Sequence, residues 1–76
     1  MLEKYNAVFI ETFGISEEQL GNLQYRSIDA WDSVGHMGLI TALENTFDIK
    51  IESDDIICFN SFYKGKEILK KYGVEF

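Results

Sequence analysis

The stretch DSVGHMGLITALENTF, residues 32–47, decides how this chain folds. Its apolar residues recur at intervals of three and four, as one face of an α-helix requires, at Val34, Met37, Ile40, Leu43 and Phe47. Asp32 or Ser33 can cap this helix, because either side chain can accept hydrogen bonds from amides left free in the first turn. We therefore predict a central helix that runs from about Ser33 to Phe47.

The pair Asp32-Ser33 has two interpretations. The simpler one is that it only caps the helix. In the other, a phosphate esterified to Ser33 would lie in the positive field of the helix N-terminus. The pair taken alone favours the cap, so the rest of the chain has to decide between them.

The sequence before this helix predicts one long helix, one short helix and a loop. The first helix ends at Gly14, a good residue for a left-handed helix stop, and its apolar stripe is Leu2, Tyr5, Phe9 and Phe13, with Val8 beside it. Residues 16–19, Ser-Glu-Glu-Gln, form a capping box for a helix that Gly21 keeps short. From residue 21 to residue 31 no period is sustained, so we expect a long loop anchored by Leu23, Ile28 and Trp31.

The sequence after the central helix predicts a connector and two more helices. Residues 48–51 alternate like a strand that has no partner, so we expect an extended connector that buries Ile49 or Ile51. Ser53 can cap a short helix with acids in its first turn. Asn60 or Ser61 opens a last helix that ends at Gly73, with one face formed by Phe62, Leu69 and Tyr72.

These elements predict an all-α fold in a single domain, residues 1–76. The architecture is a small four-helix bundle of three longer helices and a short third helix, with a long loop between the first two. The chain has no apolar run of membrane-spanning length, and its start lacks the layout of a signal peptide. Cys58 is the only cysteine, which excludes an internal disulfide and points to a reducing, cytoplasmic location.

Charge is distributed unevenly along the chain. The net charge is −6, with −5 on residues 32–55 and +2 on residues 56–76. A nucleic-acid partner is disfavoured, because the overall field repels phosphate and no basic stripe is interleaved with aromatic residues. The acidic middle would suit electrostatic steering toward a basic partner surface, or would simply be a solvated face.

The chain offers few groups for catalysis. His36 is the only histidine, and on helical spacing it lies off the apolar face, so we expect it to be exposed. A Ser33–His36 pair could meet on the helix surface, yet it lacks an orienting carboxylate and an oxyanion hole. His36 also lacks partner ligands for a metal. We therefore expect no catalytic residues and no metal site.

Ser33 is thus a nucleophile without a base of its own, which suggests an attachment point that another enzyme modifies. Gly35 and Gly38 follow it, and each costs the helix up to about 1 kcal/mol relative to alanine. Two explanations stay open for these glycines. They could let an enzyme or a tethered group approach the helix closely, or they could allow close helix–helix packing.

Two linked motifs resemble those of acyl carrier proteins. Asp32-Ser33-Val34 is similar to the Asp-Ser-Leu attachment motif of that family, and residues 42–51, ALENTFDIKI, are similar to its Ala-Leu-Glu-Glu-x-Phe-x-x-x-Ile segment. The spacing between the two motifs also matches, and the resemblance extends over nearly the whole chain. It departs at Val34, where leucine is usual, and in the few acids along the second helix. The Gly-Gly-x-Ser signature of peptidyl carriers is missing.

The resemblance implies a non-catalytic carrier. Ser33, preceded by Asp32, would carry 4′-phosphopantetheine through a phosphodiester, transferred from coenzyme A by a magnesium-dependent phosphopantetheinyl transferase. The arm would hold acyl groups as thioesters for acyl-transferring or chain-elongating enzymes. The residues expected to contact partner enzymes are Val34, Met37, Thr41 and Glu44. Those expected to line an apolar interior are Leu43, Phe47, Ile51 and Phe59.

The expected carrier is a cytoplasmic monomer that serves a fatty-acid, polyketide or specialised lipid or saccharide pathway. Trp31 and the run Gly35-His36-Met37 look more like stand-alone carriers of specialised pathways. The alternative is a small helical interaction module without a prosthetic group, in which Ser33 is a cap only.

Overall fold

The computed structural model describes residues 2–76, and they form a small bundle of helices around one apolar core. In chain order these are α1 (Leu2–Phe13), a 3₁₀-helix (Glu17–Asn22), α2 (Ser33–Phe47), α3 (Ser53–Cys58) and α4 (Phe62–Lys70). Over residues 2–76 there is no β-strand, only an isolated bridge between Gln24 and Ser61. The all-α prediction, with a short third helix, is confirmed.

Helix α1 supplies most of the aromatic core. Tyr5, Phe9 and Phe13 are buried, whereas Leu2 at the start of the stripe is exposed. Gly14 ends the helix with a φ of 65°, a left-handed conformation that glycine adopts at little cost. The buried Tyr5 hydroxyl donates to the Phe62 carbonyl oxygen at 2.5 Å and so joins α1 to α4. Burial also raises the pKa of the Tyr5 phenol.

Helix α2 has the predicted bounds but not the predicted buried face. Its buried residues are Leu39, Ile40 and Leu43, and Phe47 is only partly buried. Val34 and Met37, which we placed on the apolar face, are 80% and 51% exposed. The first turn of α2 packs against the loop backbone instead, and the core begins only at Leu39.

The loop between the 3₁₀-helix and α2 is fixed to the chain just before α4. Trp31 is fully buried, Leu23 is buried and Ile28 is partly buried, as predicted. The Tyr25 amide donates to the Asn60 carbonyl oxygen at 2.9 Å, and the Phe62 amide donates to that of Leu23 at 3.0 Å. These bonds bring two segments that are distant in sequence to one end of the bundle.

The caps of the last two helices differ in how well the sequence predicts them. Ser61 caps α4, and its hydroxyl accepts from the Lys64 amide at 3.0 Å. The N-cap of α3 is Glu52, not Ser53 as predicted, and the Glu52 side chain makes no capping hydrogen bond. In the connector before α3, Ile51 is buried. Among the helices of residues 2–76, none is long and apolar enough to cross a membrane.

Candidate functional site

Ser33 is the first residue of α2 and is exposed. Asp32 before it is the N-cap, and its Oδ1 accepts from the Gly35 amide at 2.8 Å. The cap and the candidate attachment point are therefore separate residues. The carboxylate of Asp32 holds the helix start, which leaves the hydroxyl of Ser33 free of the capping role.

An apolar groove of about 380 Å³ lies beside Ser33. Helices α2 and α3 form two of its walls, and the loop and the segment before α4 complete it. Ser33 and Met37 line it from α2, and the other lining residues are Tyr25, His36, Ile56, Ile57, Phe59 and Asn60. A concavity of this size lies in the range of small-molecule sites in proteins.

His36 lies in the wall of this groove and is half-buried, not exposed as we expected from helical spacing. Trp31 Nε1 lies 2.9 Å from His36 Nδ1, and His36 Nε2 lies 2.8 Å from the Ile56 carbonyl oxygen. An indole nitrogen only donates and a carbonyl only accepts, so these two bonds fit the tautomer in which Nε2 donates and Nδ1 accepts. Both nitrogens are engaged, and in this arrangement His36 is not a base for Ser33.

Polar contacts hold the opposite side of α3 to the end of the chain. Asp55 accepts from Lys71 Nζ and from the Tyr72 hydroxyl, both at 2.5 Å. The Tyr72 hydroxyl also accepts from the Glu52 amide at 3.0 Å. Hydrogen bonds from Lys71 and Tyr72 lower the pKa of Asp55, and the bond to Asp55 raises the pKa of Lys71 and of Tyr72. This cluster was not predicted from the sequence.

The residues predicted to line an apolar interior divide into two groups. Leu43, Ile51 and Phe59 are buried in the core, and Phe47 is partly buried. Among these four, only Phe59 also lines the groove beside Ser33. Phe59 is therefore the residue that joins the groove to the core.

The residues predicted to contact partners also divide. Val34, Met37 and Thr41 are exposed on α2. Glu44 is half-buried, and its Oε2 accepts from the Ile51 amide at 2.9 Å, which ties α2 to the connector. Sequence reasoning missed Ile57 of α3, which is 78% exposed and lines the groove. No periodic signal could have identified Ile57, because α3 is only six residues long.

The two glycines of α2 have different surroundings. A Cβ at Gly35 would stand 1.9 Å from the Ala30 carbonyl oxygen, whereas a Cβ at Gly38 would meet nothing within 4 Å. Close packing therefore explains Gly35, and Gly38 borders open space.

Within residues 2–76, no three histidine, cysteine, aspartate or glutamate side chains are placed to hold a metal ion. No protein-family model, curated protein or solved structure matches the chain.

Proposed function

We propose that this chain is an acyl carrier protein that carries acyl groups on a 4′-phosphopantetheine arm attached to Ser33. The observation that supports this most directly is the exposed Ser33 at the head of α2 with an apolar groove beside it. The sequence resemblance suggests the identity of the arm, and the exposed hydroxyl beside an apolar groove supports its attachment at Ser33. Bound there, the arm would supply a thiol on which acyl groups are held as thioesters.

The residues around Ser33 fit such a group. An exposed hydroxyl at the end of a helix leaves room for a bulky substituent, and the positive end of the helix dipole favours a phosphodiester there. The groove offers mostly apolar walls, from Tyr25, Met37 and Ile56 among others. Asn60 adds a polar side chain to this lining.

Partner enzymes would bind around Ser33. Val34 and Met37 of α2 and Ile57 of α3 are large apolar side chains that stay more than half exposed. Met37 and Ile57 line the groove, and Val34 directly follows Ser33. Exposed apolar side chains in one region are typical of interaction sites. The proposed partners are a phosphopantetheinyl transferase and acyl-transferring or chain-elongating enzymes, with charge acting mainly on the rate of encounter.

The proposed protein is a cytoplasmic monomer without catalytic activity of its own. It would present its cargo to biosynthetic enzymes of a fatty-acid, polyketide or specialised lipid or saccharide pathway. High local concentration of the tethered acyl group at each docked enzyme is the physical advantage of such a carrier.

The test is the intact mass of the protein after incubation with coenzyme A, Mg²⁺ and a broad-specificity phosphopantetheinyl transferase. We expect one added phosphopantetheine in the native protein and none in Ser33→Ala. Ser53→Ala is a matched control, because Ser53 is also exposed, begins a helix and follows an acid at the N-cap. It should take up the arm as the native protein does.

The second candidate function is a helical interaction module without a prosthetic group. The exposed Val34, Met37 and Ile57 favour it as much as they favour the carrier. The same experiment separates the two functions. No mass gain with a transferase that modifies a reference carrier under the same conditions would support the module and contradict the carrier.

A further inference from the structure

Helix α3 contains no buried residue, although it forms one wall of the groove. Of its two isoleucines, Ile56 is half-buried and Ile57 is exposed. Ile56 packs against the core but is only partly buried, so apolar burial holds α3 less firmly than it holds the other helices. Polar contacts with the rest of the protein add to its attachment.

These polar contacts lie on two sides of α3. On the groove side, His36 Nε2 donates to the Ile56 carbonyl oxygen. On the side of α4, Asp55 is bonded to Lys71 and Tyr72. The first contact spans the groove wall from α2 to α3, whereas the second lies outside the groove.

His36 is itself held rigidly from the core. Trp31 is fully buried, donates to His36 Nδ1, and stacks on the imidazole with a centroid distance of 6.1 Å and an interplanar angle of 16°. The Phe59 ring packs edge to face with the imidazole, at a centroid distance of 6.2 Å. A continuous path of hydrogen bonds thus runs from the buried Trp31 through His36 to α3.

We infer that His36 is a positioning residue that holds α3 against α2 and thereby sets which acyl groups the groove beside Ser33 accommodates. This inference rests on the proposed function, since it assigns a role in receiving the group carried by Ser33. His36 takes no part in bond making or breaking. His36 acts through the position of α3. Behind His36, the buried Phe59 lines the groove and borders the core.

The test compares His36→Phe, which keeps a planar ring but removes both hydrogen bonds, with Tyr72→Phe, which weakens the attachment on the α4 side. We first measure hydrogen exchange of the unmodified proteins. In His36→Phe the amides of residues 56–59 should exchange about tenfold faster, because the hydrogen bonds that oppose local opening of α3 are lost. The indole N–H resonance of Trp31, the only tryptophan, should also shift.

The second measurement uses proteins loaded at Ser33 with a series of straight acyl chains of increasing length. Cleavage of each thioester by hydroxylamine reports how well the protein shelters it. In His36→Phe the dependence of cleavage rate on chain length should change, and in Tyr72→Phe it should change much less, because Lys71 still holds Asp55 and the groove-side bond is intact. His36→Gln, which retains a donor and an acceptor, should recover part of the native profile. If His36→Phe does not fold, His36→Leu, which also removes both hydrogen bonds, takes its place.

Each outcome bears on a different claim. If Ser33 accepts no arm in the native protein, the carrier function fails and the role of His36 fails with it. If Ser33 is loaded and the chain-length profile of His36→Phe equals the native one, the carrier stands and the role of His36 is overturned, even if α3 exchanges faster. A changed profile that appears equally in Tyr72→Phe would also overturn it.

Discussion

The backbone of Gly35 lies against the carbonyl of Ala30, so closely that a Cβ at position 35 would stand 1.9 Å from that oxygen. This contact docks the first turn of α2 on the loop that precedes it. Gly38, one turn later, has open space where its Cβ would be. Close packing therefore accounts for Gly35, but against the loop backbone and not, as the sequence had suggested, against another helix.

Alanine at these two positions should have opposite effects on stability. Gly35→Ala should lower the free energy of unfolding by about 1–3 kcal/mol, because backbone must shift to relieve the clash. Gly38→Ala should raise it by up to about 1 kcal/mol, because alanine favours the helix. Urea unfolding of both variants checks this, and equal effects at the two sites would contradict it.

Asp32 should stabilise the protein as a cap and not through its charge. Asp32→Ala should lower the free energy of unfolding by about 1 kcal/mol, because the Gly35 amide loses its acceptor. Asp32→Asn should unfold close to the native protein, since asparagine caps as well as aspartate. Thermal unfolding of the two variants is the measurement, and a large loss in Asp32→Asn would show that the charge matters.

Exposed apolar residues around Ser33 should determine how well a transferase binds. Val34→Ser and Met37→Gln should each raise KM for arm transfer about fivefold, since burying such a side chain contributes about 1 kcal/mol. Neither change should alter thermal unfolding, because both side chains are more than half exposed. Tyr63→Ser is the control, because Tyr63 is 60% exposed on α4 and lies outside the groove.

The same assay across a salt series measures the role of charge. Raising salt should slow loading by reducing the encounter rate, since screening weakens long-range attraction between the acidic protein and its partner. An unchanged rate would argue against electrostatic docking while leaving the apolar contact intact.

Asp55 should make stability depend on pH in the acidic range. Its pKa in the folded protein is lowered, so its contribution is present above the unfolded value of about 3.9 and is lost as pH falls through the folded pKa. Asp55→Asn should therefore be less stable than the native protein near neutral pH, and the gap should narrow at pH 3. Urea unfolding of both proteins between pH 3 and pH 7 measures this, since that range includes the unfolded pKa of about 3.9.

Asp54→Asn is the matched control for this titration, because Asp54 is the exposed neighbour of Asp55 in α3. Its free energy of unfolding should stay close to that of the native protein at both pH values. The raised pKa values of Lys71 and Tyr72 work in the other direction, since their contribution is present at neutral pH and is lost only as pH rises through their folded values.

Local signals in the sequence predicted most of the fold. The bounds of α2 and the left-handed stop at Gly14 are confirmed, and each depends on residues within one or two turns. Of the two caps predicted for α4, Asn60 and Ser61, the structure has Ser61, but α4 ends at Lys70 and not at Gly73. The cap of α3 was wrong by one residue, because the end of a short helix is set only to within one or two residues and Glu52 makes no side-chain capping bond that would mark it.

The groove could not be predicted from the same signals. It joins Tyr25, the first turn of α2 and residues 56–60, and their meeting depends on contacts between segments that are far apart in sequence. His36 was placed in solvent by helical spacing, yet α3 and Trp31 cover it from outside its own helix. Periodicity reports only one helix face, so the role of a side chain between two helices is invisible to it.

Because α3 has no fully buried residue, core packing constrains its sequence less than it constrains the other helices. Substitutions on its groove-facing side could reshape the receptacle next to Ser33 while the scaffold keeps its stability. In the proposed carrier, the selectivity for the cargo and the stability of the fold would then depend on different parts of one small protein. A designer wishing to alter the cargo would begin with Ile56 and Ile57 and leave the aromatic interior untouched.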